Sequence, residues 1–352
     1  MVKPGYRLAL FATLLAVVVV LLGAYTRLTH AGLGCPDWPG CYGFLGVPMS
    51  EHKQAVAVTR FPEAPVEVAK GWYEMVHRYF AGSLGLVILA LALQALRQRG
   101  TPGQPLKLPL ALLALVIVQA AFGMWTVTLK LWPQVVTAHL LGGFATLSLL
   151  FLLTLRLCGR FAAVTVPGRL RALAAGALLL VIGQIALGGW VSSNYAAVAC
   201  VDVPTCHGEW WPAMDFANGF HLTQHIGPNY LGGQLDSDAR TAIHMTHRLG
   251  ALLVTLVLLL LAWQLRRNGF ARLSALVVSA LAVQVCLGIS NVVFHLPLLV
   301  AVAHNAGGAA LLLVMVGVNY RLRPVARAAL AHRSSTRPER LAAATPQAQV
   351  GK

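Results

Sequence analysis

Eight uninterrupted apolar segments, near residues 8–27, 76–96, 108–129, 135–157, 170–192, 243–265, 271–293 and 298–320, constrain this chain more than any other feature. Each is about 20 residues long, the length at which a helix crosses a hydrocarbon core roughly 30 Å thick. Hydrocarbon offers the backbone no hydrogen-bond partners, so only helices or closed barrels span it. The runs are continuous rather than alternating, which selects helices. Composition agrees, with 57% hydrophobic and 11% charged residues and a mean hydropathy of +0.69. The expected fold is an all-α integral membrane protein with eight transmembrane helices. Lys3 and Arg7 before the first run resemble the start of a signal peptide, but the run's length and its match to the fifth segment favour a permanent helix.

The net charge of +16 suggests nucleic acid until its placement is considered. With the N-terminus inside, 19 of the 27 basic residues fall on the inner side, and of the eleven acidic residues only Glu339 does. Such sidedness records orientation in a membrane and gives no reason to expect a nucleic-acid partner. Both termini are expected to be cytoplasmic, lipid is the expected surrounding, and the basic tail 321–352 is expected to be disordered.

Shifting the chain by 165 residues aligns its halves. Gly23 meets Gly188, Cys35 meets Cys200, Asp37 meets Asp202, Pro39 meets Pro204 and Cys41 meets Cys206. Gln119 meets Gln284, Gly123 meets Gly288 and His139 meets His304. The pair "HR" at His77 returns 170 residues later at His247, so about five residues were added in the second outer loop. The expected architecture is two four-helix bundles, 1–160 and 161–320, related by a pseudo-two-fold axis along the membrane normal. Four helices return each repeat to the same side, which fixes that direction.

Each bundle then carries two imidazoles, His77 with His139 and His247 with His304, all roughly one helical turn below the outer boundary. Ionisable groups at membrane depth are costly and tend to mark function. A facing pair of imidazoles with few other ligands suits axial coordination of a haem iron, whereas zinc asks for three or four ligands. The small residues in "AHLLGG" and "AHNAGG" leave room for a flat macrocycle. Arg78 and Arg248 follow their histidines and are placed either to pair with propionates or to reach lipid headgroups. Glu74 lies one turn before His77, where the second half has His244. Two readings of Glu74 stand: a base or charge-stabilising group in a reaction, or a helix N-terminal acid favoured by the dipole. The inequality suggests a reactive first site and an electron-accepting or structural second one.

Cys35 with Cys41 and Cys200 with Cys206 share one spacing in outer loops, where conditions are oxidising. A short disulfide in each loop is the structural expectation, and a redox role the alternative. The long second loop adds His207, His221 and His225. Accessory metal contact there is a minor alternative.

"GAYTRLTHAGLGCPDWPGCYG" (23–43), "EMVHR" and the two histidine pairs resemble the haem A synthase family, over nearly the whole chain to about Tyr320. The resemblance implies oxidation of the C8 methyl of haem O, by way of an alcohol, to a formyl group; water is the favoured oxygen source, with dioxygen left open. It implies that His77 and His139 flank the substrate haem, that Glu74 serves the reaction, and that His247 and His304 ligate a haem b cofactor. It further implies a bacterial inner membrane location, haem O synthase as donor and a role in cytochrome oxidase assembly. Homo-oligomerisation stays open. Three other classes compete, one of them a thiol–disulfide oxidoreductase built on the loop cysteines, which would leave the histidines without purpose. A dihaem b-type electron-transfer protein predicts haems at different depths, and a haem transporter or chaperone predicts exchangeable binding without conversion.

Overall fold

A computed structural model describes residues 2–324, so nearly all of the basic tail 321–352 lies outside the described residues. The helices are α1 (Tyr6–Leu28), α2 (Glu51–Arg60), α3 (Val68–Arg97), α4 (Lys107–Thr128) and α5 (Pro133–Cys158). They continue with α6 (Gly168–Ser193), α7 (Phe216–Gly219), α8 (Ser237–Arg267), α9 (Ala271–Val293) and α10 (Leu298–Leu322). Eight of these, all but α2 and α7, are long and apolar enough to cross a membrane, so the chain is a multi-pass helical membrane protein.

Two spans begin earlier than hydropathy suggests, because α3 and α8 extend about two polar turns beyond their apolar stretch. Asp236 caps α8 by accepting the Ala239 N–H at 2.8 Å, and Asp238 adds an acid to the first turn. A negative charge there complements the helix dipole. The short α2 starts the same way, with Ser50 accepting from the Lys53 N–H.

Helices α1, α3, α4 and α5 pack on one another, as do α6, α8, α9 and α10, and the two sets meet through α1, α5, α6 and α10. Lipid is as apolar as leucine, so close van der Waals approach and polar contacts, not water exclusion, hold such helices together. Small residues supply the approach. Ala9, Ala12 and Ala16 are buried on α1, and Ala174, Ala177 and Val181 occupy the offset positions on α6. Leu147, Leu150, Leu153 and Leu157 of α5 likewise correspond to Leu312, Met315, Val318 and Leu322 of α10, all buried. Thr13 and Thr154 share a hydrogen bond of 2.9 Å between α1 and α5.

The duplication extends to backbone conformation. Positive φ is uncommon outside glycine. Yet His30 and Tyr195, Tyr42 and His207, Lys130 and His295, and Leu131 and Leu296 all adopt it, in offset-related pairs at φ between 49° and 61°. Residues 165 apart also touch each other. Arg27 donates to the Ser192 carbonyl, and the Tyr320 hydroxyl donates to that of Leu155 at 3.3 Å. His30 stacks on Tyr195 with ring centres 5.5 Å apart, and the Arg27 guanidinium lies 4.1 Å from the centre of the same ring.

Candidate functional site: two imidazole pairs beneath disulfide loops

Each of the four histidines packs its ring on a glycine of the preceding span. A Cβ added at Gly23 would lie 2.9 Å from the Cε1 of His77, and one at Gly123 would lie 3.3 Å from that of His139. Gly188 and Gly288 stand the same way toward His247 and His304, at 3.2 and 3.1 Å. The missing side chain is what lets these rings lie between helices. His77 and His139 face each other at 6.5 Å between ring centres, with ring planes at 87°. All four residues keep part of their surface accessible, while the Nδ1 atoms of His77, His139 and His304 are buried without a hydrogen-bond partner. His247 differs, because its Nδ1 meets the amide nitrogen of Gln184 at 3.0 Å.

Above each pair sits a loop closed by a disulfide. Cys35–Cys41 and Cys200–Cys206 are both bonded, with S–S distances of 2.03 and 2.09 Å. Asp37 accepts the N–H groups of Tyr42 at 2.6 Å and Gly43 at 2.8 Å, and Asp202 accepts those of His207 and Gly208, each at 2.9 Å. The Thr205 hydroxyl, with those amides, holds the Asp202 carboxyl down at about 2. Gly34 rests on the backbone of α3, where a Cβ would come within 2.5 Å of the Lys70 carbonyl carbon, so this loop reaches its helix only through glycine.

The arginines beside the histidines hold these loops. Arg78 donates to the carbonyls of Asp37 at 3.0 Å, Pro39 at 3.3 Å and Gly40 at 2.5 Å, and pairs with Glu74. Arg248 donates to Asp202 at 2.8 Å, Thr205 at 2.9 Å and Cys200 at 3.4 Å. Glu74 is buried, and its second oxygen accepts the Cys35 N–H at 3.0 Å. His244, at the matching place, bonds the Ala196 carbonyl through Nδ1 at 2.9 Å. Both residues therefore fasten a helix to the loop above it, and only the first does so with a charge.

The second outer loop also reaches across to the first half. Trp132 donates to the Gln224 carbonyl at 3.1 Å, Gln134 to that of Leu222 at 2.9 Å, and the Tyr230 N–H to that of Lys130 at 3.0 Å. This covers the turn that leads into α5 and His139. His207 instead bonds the Ala199 carbonyl and His221 bonds Thr223, and neither joins a cluster. Among the described residues no three His, Cys, Asp or Glu gather as a metal site.

The sequence reading gave no role to Gln119, Gln184 and Gln284, which the structure brings to the histidines. The signal was present: each glutamine stands four residues before the glycine that receives an imidazole, and each of those imidazoles stands three before another glycine. Gly142 and Gly307, expected to make room for a macrocycle, receive the amides of Gln119 and Gln284.

Eight spans carrying two sets of half-buried imidazoles beneath disulfide-closed loops define a class, the multi-pass helical membrane protein with histidine pairs near one face. A family model described as cytochrome oxidase assembly protein, COX15-CtaA, matches residues 6–316, and the chain belongs to that family. A heme A synthase of Shewanella oneidensis is 50% identical over 319 residues, covering 90% of this chain and 95% of the relative. A heme A synthase of Allorhizobium ampelinum is 31% identical over 332 residues, covering 87% and 85%. One from Sphingopyxis alaskensis is 28% identical over 330 residues, covering 88% and 89%.

Proposed function

We propose that this protein is a haem A synthase, an oxidoreductase that converts the C8 methyl of haem O to a formyl group. The observation that carries the reading is the pair His77 and His139 with Glu74, the one buried acid among the described residues, a turn away. In balance, methyl plus water becomes formyl with loss of four protons and four electrons, in two stages through the alcohol. Water is the proposed oxygen source, and an external acceptor must take the electrons.

The residues fit iron porphyrin. Two ring nitrogens each roughly 2 Å from one metal place their ring centres about 6 Å apart, close to the spacing found between His77 and His139. At His77 and His139 a sealed Nδ1 on a partly accessible imidazole leaves Nε2 as the ligating nitrogen. In this proposal residues 1–160 form the bundle that holds haem O between His77 and His139. Residues 161–320 form its pseudo-two-fold partner, which holds haem b at His247 and His304. The resident group supplies one-electron redox chemistry. Glu74 serves as the base toward water or offsets positive charge at the substrate carbon, with Arg78 and the Cys35 amide compensating its own charge. Arg78 and Arg248 tie the outer loop to the helix next to each ligand and present their remaining N–H groups to a propionate. The bacterial inner membrane, with both termini cytoplasmic, is the proposed setting, and haem O synthase the proposed donor.

The test is to express the chain with a haem O synthase in cells lacking haem A and to analyse the extracted pigments. Haem A is expected with the intact chain. Its absence, with haem O present and the protein in the membrane, would point to the transporter alternative.

A further inference from the structure

The four histidines share one surrounding, with a single exception. On the preceding span a residue stands four positions before the glycine that takes the ring: Gln119 before Gly123, Gln184 before Gly188, Gln284 before Gly288 and Val19 before Gly23. On the histidine's own helix the residue three positions later is Gly142, Gly250, Gly307 or, after His77, Phe80. The two differences are linked by space. A Cβ at Gly142, Gly250 or Gly307 would run into the amide of Gln119, Gln184 or Gln284, so each glutamine depends on its glycine. Val19 is shorter, and Phe80, in the glycine's place, is exposed.

The amide gives an imidazole what valine cannot. The Gln184 nitrogen donates to the His247 carbonyl at 2.9 Å and meets its Nδ1 at 3.0 Å, and the Gln284 nitrogen lies 3.4 Å from the Nε2 of His304. The amide oxygens of both glutamines are buried without partners. An amide carries a donor and an acceptor, so by turning it serves either tautomer of the ring. Once one ring nitrogen ligates a metal, the other carries the proton, and the unpartnered oxygen is the acceptor it requires. Such partners orient a ligating imidazole and raise its basicity. His77 has no such side chain to turn toward its buried Nδ1, whereas the equally unpartnered Nδ1 atoms of His139 and His304 have a glutamine on the neighbouring span.

We infer that this glutamine–glycine notch decides which haem stays and which leaves: His77, the histidine without it, is the releasing ligand, and Val19 with Phe80 marks the exchanging site. This rests on the two-haem reading above and adds a positioning role for Gln184. A resident group must survive many turnovers, whereas a substrate must enter and a product depart. Three imidazoles with a glutamine beside them and one with a valine in its place meet both needs within one repeated scaffold.

The test loads the purified full chain with haem at both sites and follows transfer to apomyoglobin by absorbance. Two phases are expected, the fast one from the first site. Val19→Gln combined with Phe80→Gly should slow the fast phase about tenfold, and Gln184→Leu should speed the slow phase by a similar factor. Gln184→Leu should also raise the midpoint potential of the second haem, while Gln184→Glu should lower it, a divergence that a purely structural role would not produce. Unchanged transfer in the double variant, with second-site absorbance retained, overturns the inference. Should that variant lose the second haem too, equal potentials in the two Gln184 variants overturn it instead. His77→Ala and His247→Ala serve as controls: if neither alters haem binding, the two-haem reading itself fails.

Discussion

The two disulfide loops are held by matching hydrogen bonds, and the helices beneath them are not equally equipped. In both, an aspartate gathers two backbone amides, and an arginine one residue after a histidine gathers the loop's carbonyls. Below the first loop the fastening side chain is Glu74, and below the second it is His244. On the neighbouring span Val19 faces one ring and Gln184 another. The repeated sequence pattern seats an imidazole pair twice. Divergence then placed a carboxylate where chemistry is proposed and a carboxamide where retention is proposed. Function here is legible as the difference between repeats rather than in either repeat alone.

That contrast can be broken most forcefully at the ligands. His247→Ala or His304→Ala should abolish the resident b-type absorbance of the purified protein, and an unchanged reduced-minus-oxidised spectrum would refute the assignment. Next comes the pair of fasteners. Glu74→Ala should lower haem A formation by about two orders of magnitude, the scale on which acid–base groups act, while retaining the b-type spectrum. His244→Ala should lower it only a few-fold, and equal losses in the two variants would erase the proposed inequality. A smaller effect is expected at the bridges. Cys35→Ser and Cys200→Ser should each cost about 2 kcal/mol in thermal or denaturant unfolding, since each closes a short loop. The smallest concerns acid. The Asp202 carboxyl is held at about 2, below its ordinary 3.8, so its contribution is present above that ordinary value and disappears as pH falls through about 2. Protection of the His207 and Gly208 amides from hydrogen exchange should therefore persist at pH 3 and vanish in Asp202→Ala.

Much of this was legible in the sequence because membranes simplify the problem. Continuous apolar runs announced the spans, and identical residues at one offset announced the repeat. The paired cysteines and the four histidines stood out because polar groups are rare at such depth. What stayed hidden depends on three-dimensional approach. The polar first turns of α3 and α8 lie outside hydropathy's reach, since a helix capped by Asp236 in water needs no apolar residues. The loop-holding role of Arg78 and Arg248 needs chain segments about 40 residues apart in sequence to meet. The glutamines look like ordinary polar interruptions until the glycines opposite them are seen to leave room.

One contact sets how the two halves meet. Arg27 reaches the backbone of Ser192, the residue that holds its own place in the other half, and leans on Tyr195, which holds the place of His30. Two copies of the amino-terminal portion brought together in this manner would set guanidinium against guanidinium at the seam, and two copies of the carboxy-terminal portion would leave it without any cation. The join is therefore built for unlike neighbours, and neither half alone carries both groups that close it.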